Sequence, residues 1–206
     1  MDVEAVAEGM EDQRFAAVAR GIASVAVGFA AIEAVASVGL GAPALTWAGA
    51  VTAIAAAGSL VAARVGEHGR RKEATAGLAG VLFAADLLCA ALLPGLGAMT
   101  TLPLVIGLLC VPDLGPRGGR WALGVAFGVS ALVVAIDHGL SPPIGVPPAV
   151  HAGIGATAQL AAVGLAASII ALRSRRLEEA VVRSRIGEQR LATTVDSITD
   201  AVVSTD

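Results

Sequence analysis

The sequence predicts an all-α membrane protein of six transmembrane helices, the last continuing into a cytoplasmic amphipathic connector helix. Composition is the first ground: the 206 residues are 56% apolar and only 15% charged, against roughly 45–50% and about 25% in an ordinary soluble domain. Too few charges are present to cover a globule, which excludes a soluble enzyme, and too many apolar residues are present for a disordered chain. The second ground is distribution. Polar residues collect in the first 20 positions, around 64–73, around 113–120 and after 172, with long uncharged runs between them. The third is the placement of the basic residues, which gather between and beside the apolar runs. A net charge of −3 gives no case for a nucleic-acid partner.

Residues 1–19 read as a cytoplasmic N-terminal segment. Their start, MDVEAVAEGMEDQR, is acidic and has no basic region before an apolar core, so it does not read as a cleaved signal peptide. The six-helix transmembrane domain covers 20–172, with spans at 20–40, 44–63, 74–94, 97–112, 120–137 and 148–172. About 20 residues at a 1.5 Å rise cross a hydrocarbon core of roughly 30 Å, and in lipid each backbone polar group must be satisfied within its segment, so these runs are helices. GLGAP, PGLG and SPPIGVPP break the chain between the first and second, third and fourth, and fifth and sixth spans. The fourth, AMTTLPLVIGLLCV, is short and contains Pro103, and a run of 10–14 apolar residues can be re-entrant rather than spanning.

Charge arbitrates. Arg14 and Arg20 precede the first span; Arg64, Arg70, Arg71 and Lys72 lie between the second and third; Arg117 and Arg120 lie between the fourth and fifth. Arg173, Arg175, Arg176, Arg183, Arg185 and Arg190 follow the sixth and complete the 14 basic residues. With six crossings all of them fall on one side, the cytoplasmic one, and both termini are inside. Trp47 and Trp121 sit at the mouths of the second and fifth spans, where an indole suits the headgroup region.

Ionisable groups inside a membrane are costly and mark candidate sites. Glu33 falls in the outer half of the first span, Asp86 near the middle of the third, and Gln159 at comparable depth on the sixth. They suggest a small polar site for a ligand or proton; the alternative is that Asp86, protonated or hydrogen-bonded, only sets helix register. Asp137, His138 and His151 flank the outer loop SPPIGVPP and are weak candidates for a metal, polar caps being the alternative reading. Cys89 and Cys110 lie at different depths and read as small apolar fillers rather than a disulfide pair. Gly124 and Gly128 have GxxxG spacing, in keeping with a compact Ala-rich bundle or with a dimer face. HExxH, GxxxxGK[ST], GxSxG and CxxC do not occur, and no cofactor motif is present.

After the sixth span the helix-forming run LRSRRLEEAVVRSRIGEQRLATTVDSI continues over 173–198. Leu177, Ser184, Leu191 and Ile198 fall seven apart and Val181, Glu188 and Val195 interleave with them, the 4-3 spacing of a heptad seam. The spacing predicts a coiled coil joining two copies in parallel; a single amphipathic linker helix is the alternative. Next comes LATTVDSITDAVVSTD, in which AVVST is β-rich after a helical run. It resembles the entry to a PAS domain in bacterial sensor proteins, an (I/L)xDAV(V/I)xTD element met here by Ile198, Asp200, Ala201, Val202, Val203, Thr205 and Asp206. The resemblance implies that 199–206 begin a PAS domain cut short at its first strand, so that the chain is a fragment of a longer protein. It further implies the membrane sensory region of a histidine kinase or of a GGDEF or EAL cyclic-dinucleotide enzyme, in the bacterial inner membrane.

The expected function is therefore a transmembrane input module. It would relay a stimulus through the sixth helix and the connector to a PAS-linked cytoplasmic output, with membrane lipid and a second copy of the chain as its partners. A small six-helix transporter or channel is the alternative, for which two matching halves with broken helices would be expected.

Overall fold

The computed structural model describes residues 3–95, 101–140 and 146–167, and among them all regular structure is helical. Helix α1 (Val3–Leu40) is followed by α2 (Pro43–Glu67), α3 (Arg71–Leu92), α4 (Leu102–Gly139) and α5 (Pro148–Ala167). Among the described residues, five segments are long and apolar enough to cross a membrane: Gly9–Leu40, Pro43–Glu67, Arg71–Leu92, Arg117–Gly139 and Pro148–Ala167. The connector seam at Leu177, Val181, Ser184, Glu188, Leu191, Val195 and Ile198 lies outside the described residues, as does the PAS-like segment at 199–206.

The fourth expected span differs from the other five. It is an apolar helix over Leu102–Val111, about 15 Å long at 1.5 Å per residue and so half the thickness of a hydrocarbon core. Pro103 does not kink it. It occupies the first turn of α4, where the missing N–H has no intrahelical partner to lose. The chain breaks instead at Gly115, with φ 70° and ψ −177°, a conformation open essentially only to glycine. There α4 folds back on itself as two arms, Leu102–Val111 and Arg117–Gly139. Cβ atoms built at Gly107 and Gly119 would meet Ala126 and Val111 across the hairpin, at 2.7 and 3.2 Å.

Consecutive helices pack side by side, because glycine and alanine let their backbones approach. Ala16 and Ala19 of α1 cluster with Ala62 and Ala63 of α2 and Leu78 of α3. Ala79 and Phe83 of α3 meet Ile106, Cys110, Ala122 and Ala126 from both arms of α4. Leu45, Cys89, Ala90, Leu93, Val133 and Ile154 join α2, α3, α4 and α5 in a third cluster. Large apolar side chains such as Val35, Val38, Trp47, Ile54, Trp121 and Leu160 are exposed on the outside of the bundle, where lipid suits them.

Every Lys and Arg among the described residues lies towards one end of the bundle, the basic face. Arg20 pairs there with Glu67, and Arg71 with Glu11 and Asp113. From Val3 onward, the residues of the expected N-terminal segment are continuous with the first span in one 38-residue helix.

Candidate functional site

Among the described residues two carboxylates are buried: Glu33 is 2% exposed and Asp86 3%. Glu33 faces α2, where Gly49 leaves room for its stem. Its Oε2 accepts a hydrogen bond from Thr52 Oγ1 at 3.0 Å, and the same hydroxyl lies 2.9 Å from the Ala48 carbonyl. Thr52 Oγ1 is also 3.9 Å from Cys89 Sγ on α3. Cys89 lies three residues beyond Asp86 and hence on the same face of that helix. Glu33, Thr52, Cys89 and Asp86 thus form a polar row that crosses from α1 through α2 to α3.

Asp86 ends the row with no partner: among the described residues neither of its carboxyl oxygens makes a hydrogen bond. The buried Ser130 Oγ on α4 is likewise unpartnered. Helix register places the two at one level. Phe83 shares a cluster with Ala126, Ala90 shares one with Val133, and the Gly95 N–H donates to Asp137 Oδ1 at 2.8 Å. The α3 helix and the long arm of α4 therefore run parallel in constant register, with Asp86 opposite the turn that carries Ser130. An ionised carboxylate so placed would forgo several kcal/mol of solvation, and no Lys or Arg among the described residues reaches that depth.

Gln159 is not part of this row. The inward stripe of α5 carries Ile154 and Ala162, both buried, and Gln159 falls beside that stripe and is exposed. Depth along a helix can be read by counting residues, whereas rotation depends on which stripe the neighbouring helices cover.

Asp137 and His151 do converge, on the turn that ends α3. Asp137 accepts from the Gly95 N–H, and His151 Nε2 lies 3.0 Å from the Pro94 carbonyl. His138 turns away, its Nδ1 2.8 Å from the Val134 carbonyl. Each of the three is thus engaged with backbone. Among the described residues no three His, Cys, Asp or Glu side chains are grouped to hold a metal ion. Cys89 and Cys110 are free and buried in separate clusters.

A second polar cluster, at the basic face, was not expected from the sequence. Arg71 Nε donates to Asp113 Oδ1 at 2.8 Å, Thr75 Oγ1 donates to Asp113 Oδ2 at 3.3 Å, and Glu11 also pairs with Arg71. These contacts tie the Gly115 hairpin and α1 to the start of α3. Charge alone explains Arg71 as a topology marker, so nothing in the sequence singled it out.

No protein-family model matches the chain, and no curated protein matches it.

Proposed function

We propose that the chain is the membrane input module of a bacterial signal-transduction protein. It passes a change in helix packing through its last transmembrane helix and the 173–198 connector to a PAS-type cytoplasmic output. The observation that carries the reading is the order of segments: an apolar helical bundle, a heptad-spaced run at Leu177, Ser184, Leu191 and Ile198, then the PAS-like LATTVDSITDAVVSTD. Two features of the bundle support it. The short arm of α4 packs on α3 and is followed by Asp113 beside Arg71 on the basic face, which supports counting it as the fourth of six passes although it is too short to span alone. The α5 helix then starts at the face opposite, with His151 beside Pro94, and heads back towards the basic one. In this reading the basic face is cytoplasmic, by the rule that places Lys and Arg inside. A signal need bias two packings of the bundle by only a few kcal/mol to shift their populations.

Cysteine crosslinking of the full chain in membranes tests this reading. With Cys89 and Cys110 replaced by Ala, single cysteines at Leu177, Ser184 or Leu191 should link two copies strongly, and their sequence neighbours weakly. Uniform failure to link refutes the dimeric relay. Solute flux through the same protein in liposomes would assign it to the transporters instead.

A further inference from the structure

Among the described residues, a row of hydrogen-bonding side chains leads away from Asp86 towards one face. Towards the face opposite the basic one, Cys89 follows on α3, then Thr52 and Glu33. One turn beyond Glu33 on the same face of α1 stands Ser37, hydrogen-bonded to the exposed Thr46. Hydroxyl, thiol and carboxyl groups therefore succeed one another from the buried carboxyl to the surface. Towards the basic face the same seam is closed by Leu78, Phe83, Ile106, Ala122 and Ala126, with the Cys110 thiol enclosed among them. The Ser59 hydroxyl at that depth is spent on the Ala55 carbonyl at 2.8 Å. Among the described residues, hydroxyl and carboxyl groups resume there at Thr75 and Asp113.

From this arrangement we propose that Asp86 is a proton-binding site reached from the face opposite the basic one, through Glu33, Thr52 and Cys89, and sealed from the basic face. The proposal deepens the input-module reading and rests on it for its purpose, making the proton on one side of the membrane the stimulus. Protonated, Asp86 is neutral and fits the seam between α3 and α4. When it gives its proton to water on the open side, the resulting carboxylate is left without a hydrogen bond among the described residues, and the seam must loosen to hydrate it.

The titratable groups facing it from the packed elements are few. Helix α1 supplies Glu33, α3 itself Cys89, the short arm of α4 Cys110, the end of the long arm Asp137, and α5 His151; α2 has none between Pro43 and Ala63. None is a lysine or arginine that would hold Asp86 ionised. The apolar closure separates this site from a proton pathway through the bundle, which would need polar groups on both sides of Asp86.

Infrared difference spectroscopy on the full chain, oriented in proteoliposomes, reads the carboxyl directly. Raising the pH on the face opposite the basic one should abolish a protonated-carboxyl band. Raising it on the basic face should leave that band unchanged. Asp86→Asn should lack the band, Glu33→Gln should keep it, and Thr52→Val should slow its loss several-fold at unchanged amplitude. A band that persists at every pH, or that is lost equally from both faces, overturns the proposal, as does one that survives in Asp86→Asn. Because connector crosslinking is independent of this band, a chain that fails to link but titrates from one side loses the relay and keeps the proton site.

Discussion

At the scale of single residues the closest approaches are made by glycines, and they differ in what a methyl group would meet. A Cβ at Gly107 would lie 2.7 Å from the Ala126 Cβ and 3.4 Å from the Ala122 carbonyl oxygen, both fixed to a facing helix. A Cβ at Gly66 would meet the Phe15 ring at 2.5 Å, but that half-buried ring can swing aside at the edge of the bundle. Gly107→Ala should therefore cost about 1–3 kcal/mol, the usual range for overpacking, and Gly66→Ala clearly less. Thermal unfolding of the two variants in detergent checks the order. Adding Ala126→Gly should recover most of the loss at Gly107 and none at Gly66. At this scale the candidate site was only partly legible in the sequence. Glu33 and Asp86 stand out because a carboxylate in an uncharged run is conspicuous. Thr52 and Ser130 do not, since a hydroxyl in such a helix commonly bonds its own backbone, as Ser59 does to Ala55 and Thr157 to Gly153. Only the register between helices shows which hydroxyl joins the row.

Among the elements, α4 shows why spans were easier to read than their limits. Uncharged runs located each long helix, yet α2 and α3 extend to Glu67 and back to Arg71, about a turn beyond the apolar runs towards the basic face. Charged residues can continue a helix once it has left the hydrocarbon, so hydropathy marks the membrane edge rather than the helix end. The hairpin in α4 depends on Gly115, whose backbone conformation other residues adopt only at a cost of order 1–3 kcal/mol. Gly115→Ala should accordingly lower stability by about that amount. It should also loosen the contact of Asp113 with Arg71 and Thr75, since those bonds need the first arm to end beside the start of α3. Combining Gly115→Ala with Asp113→Asn checks this: the paired loss should fall short of the sum of the single losses, because the first change already weakens what the second removes. Strict additivity would show that the hinge does not position Asp113.

For the whole molecule the deciding question is which turns share a face, and here the short arm bears on parity. The α3 helix ends at Pro94 and Gly95, where Asp137 and His151 also gather. The hairpin at Gly115 lies at the other end, beside Arg71 and Glu11. The chain must therefore return across the bundle between Gly95 and Asp113, even though the apolar helix there is only about 15 Å long. Single cysteines at His68, Arg117, Leu40 and Leu140, all exposed positions, test this in a chain whose Cys89 and Cys110 are replaced by Ala. A thiol reagent that cannot cross the membrane should label His68→Cys and Arg117→Cys from one side, and Leu40→Cys and Leu140→Cys from the other. Labelling of Arg117→Cys together with Leu140→Cys would mean that the long arm of α4 does not cross. Labelling of Arg117→Cys on the side of Leu40→Cys would mean that the short arm does not return. Either result would break the common face of the basic residues, and with it the six-pass topology on which a cytoplasmic connector depends.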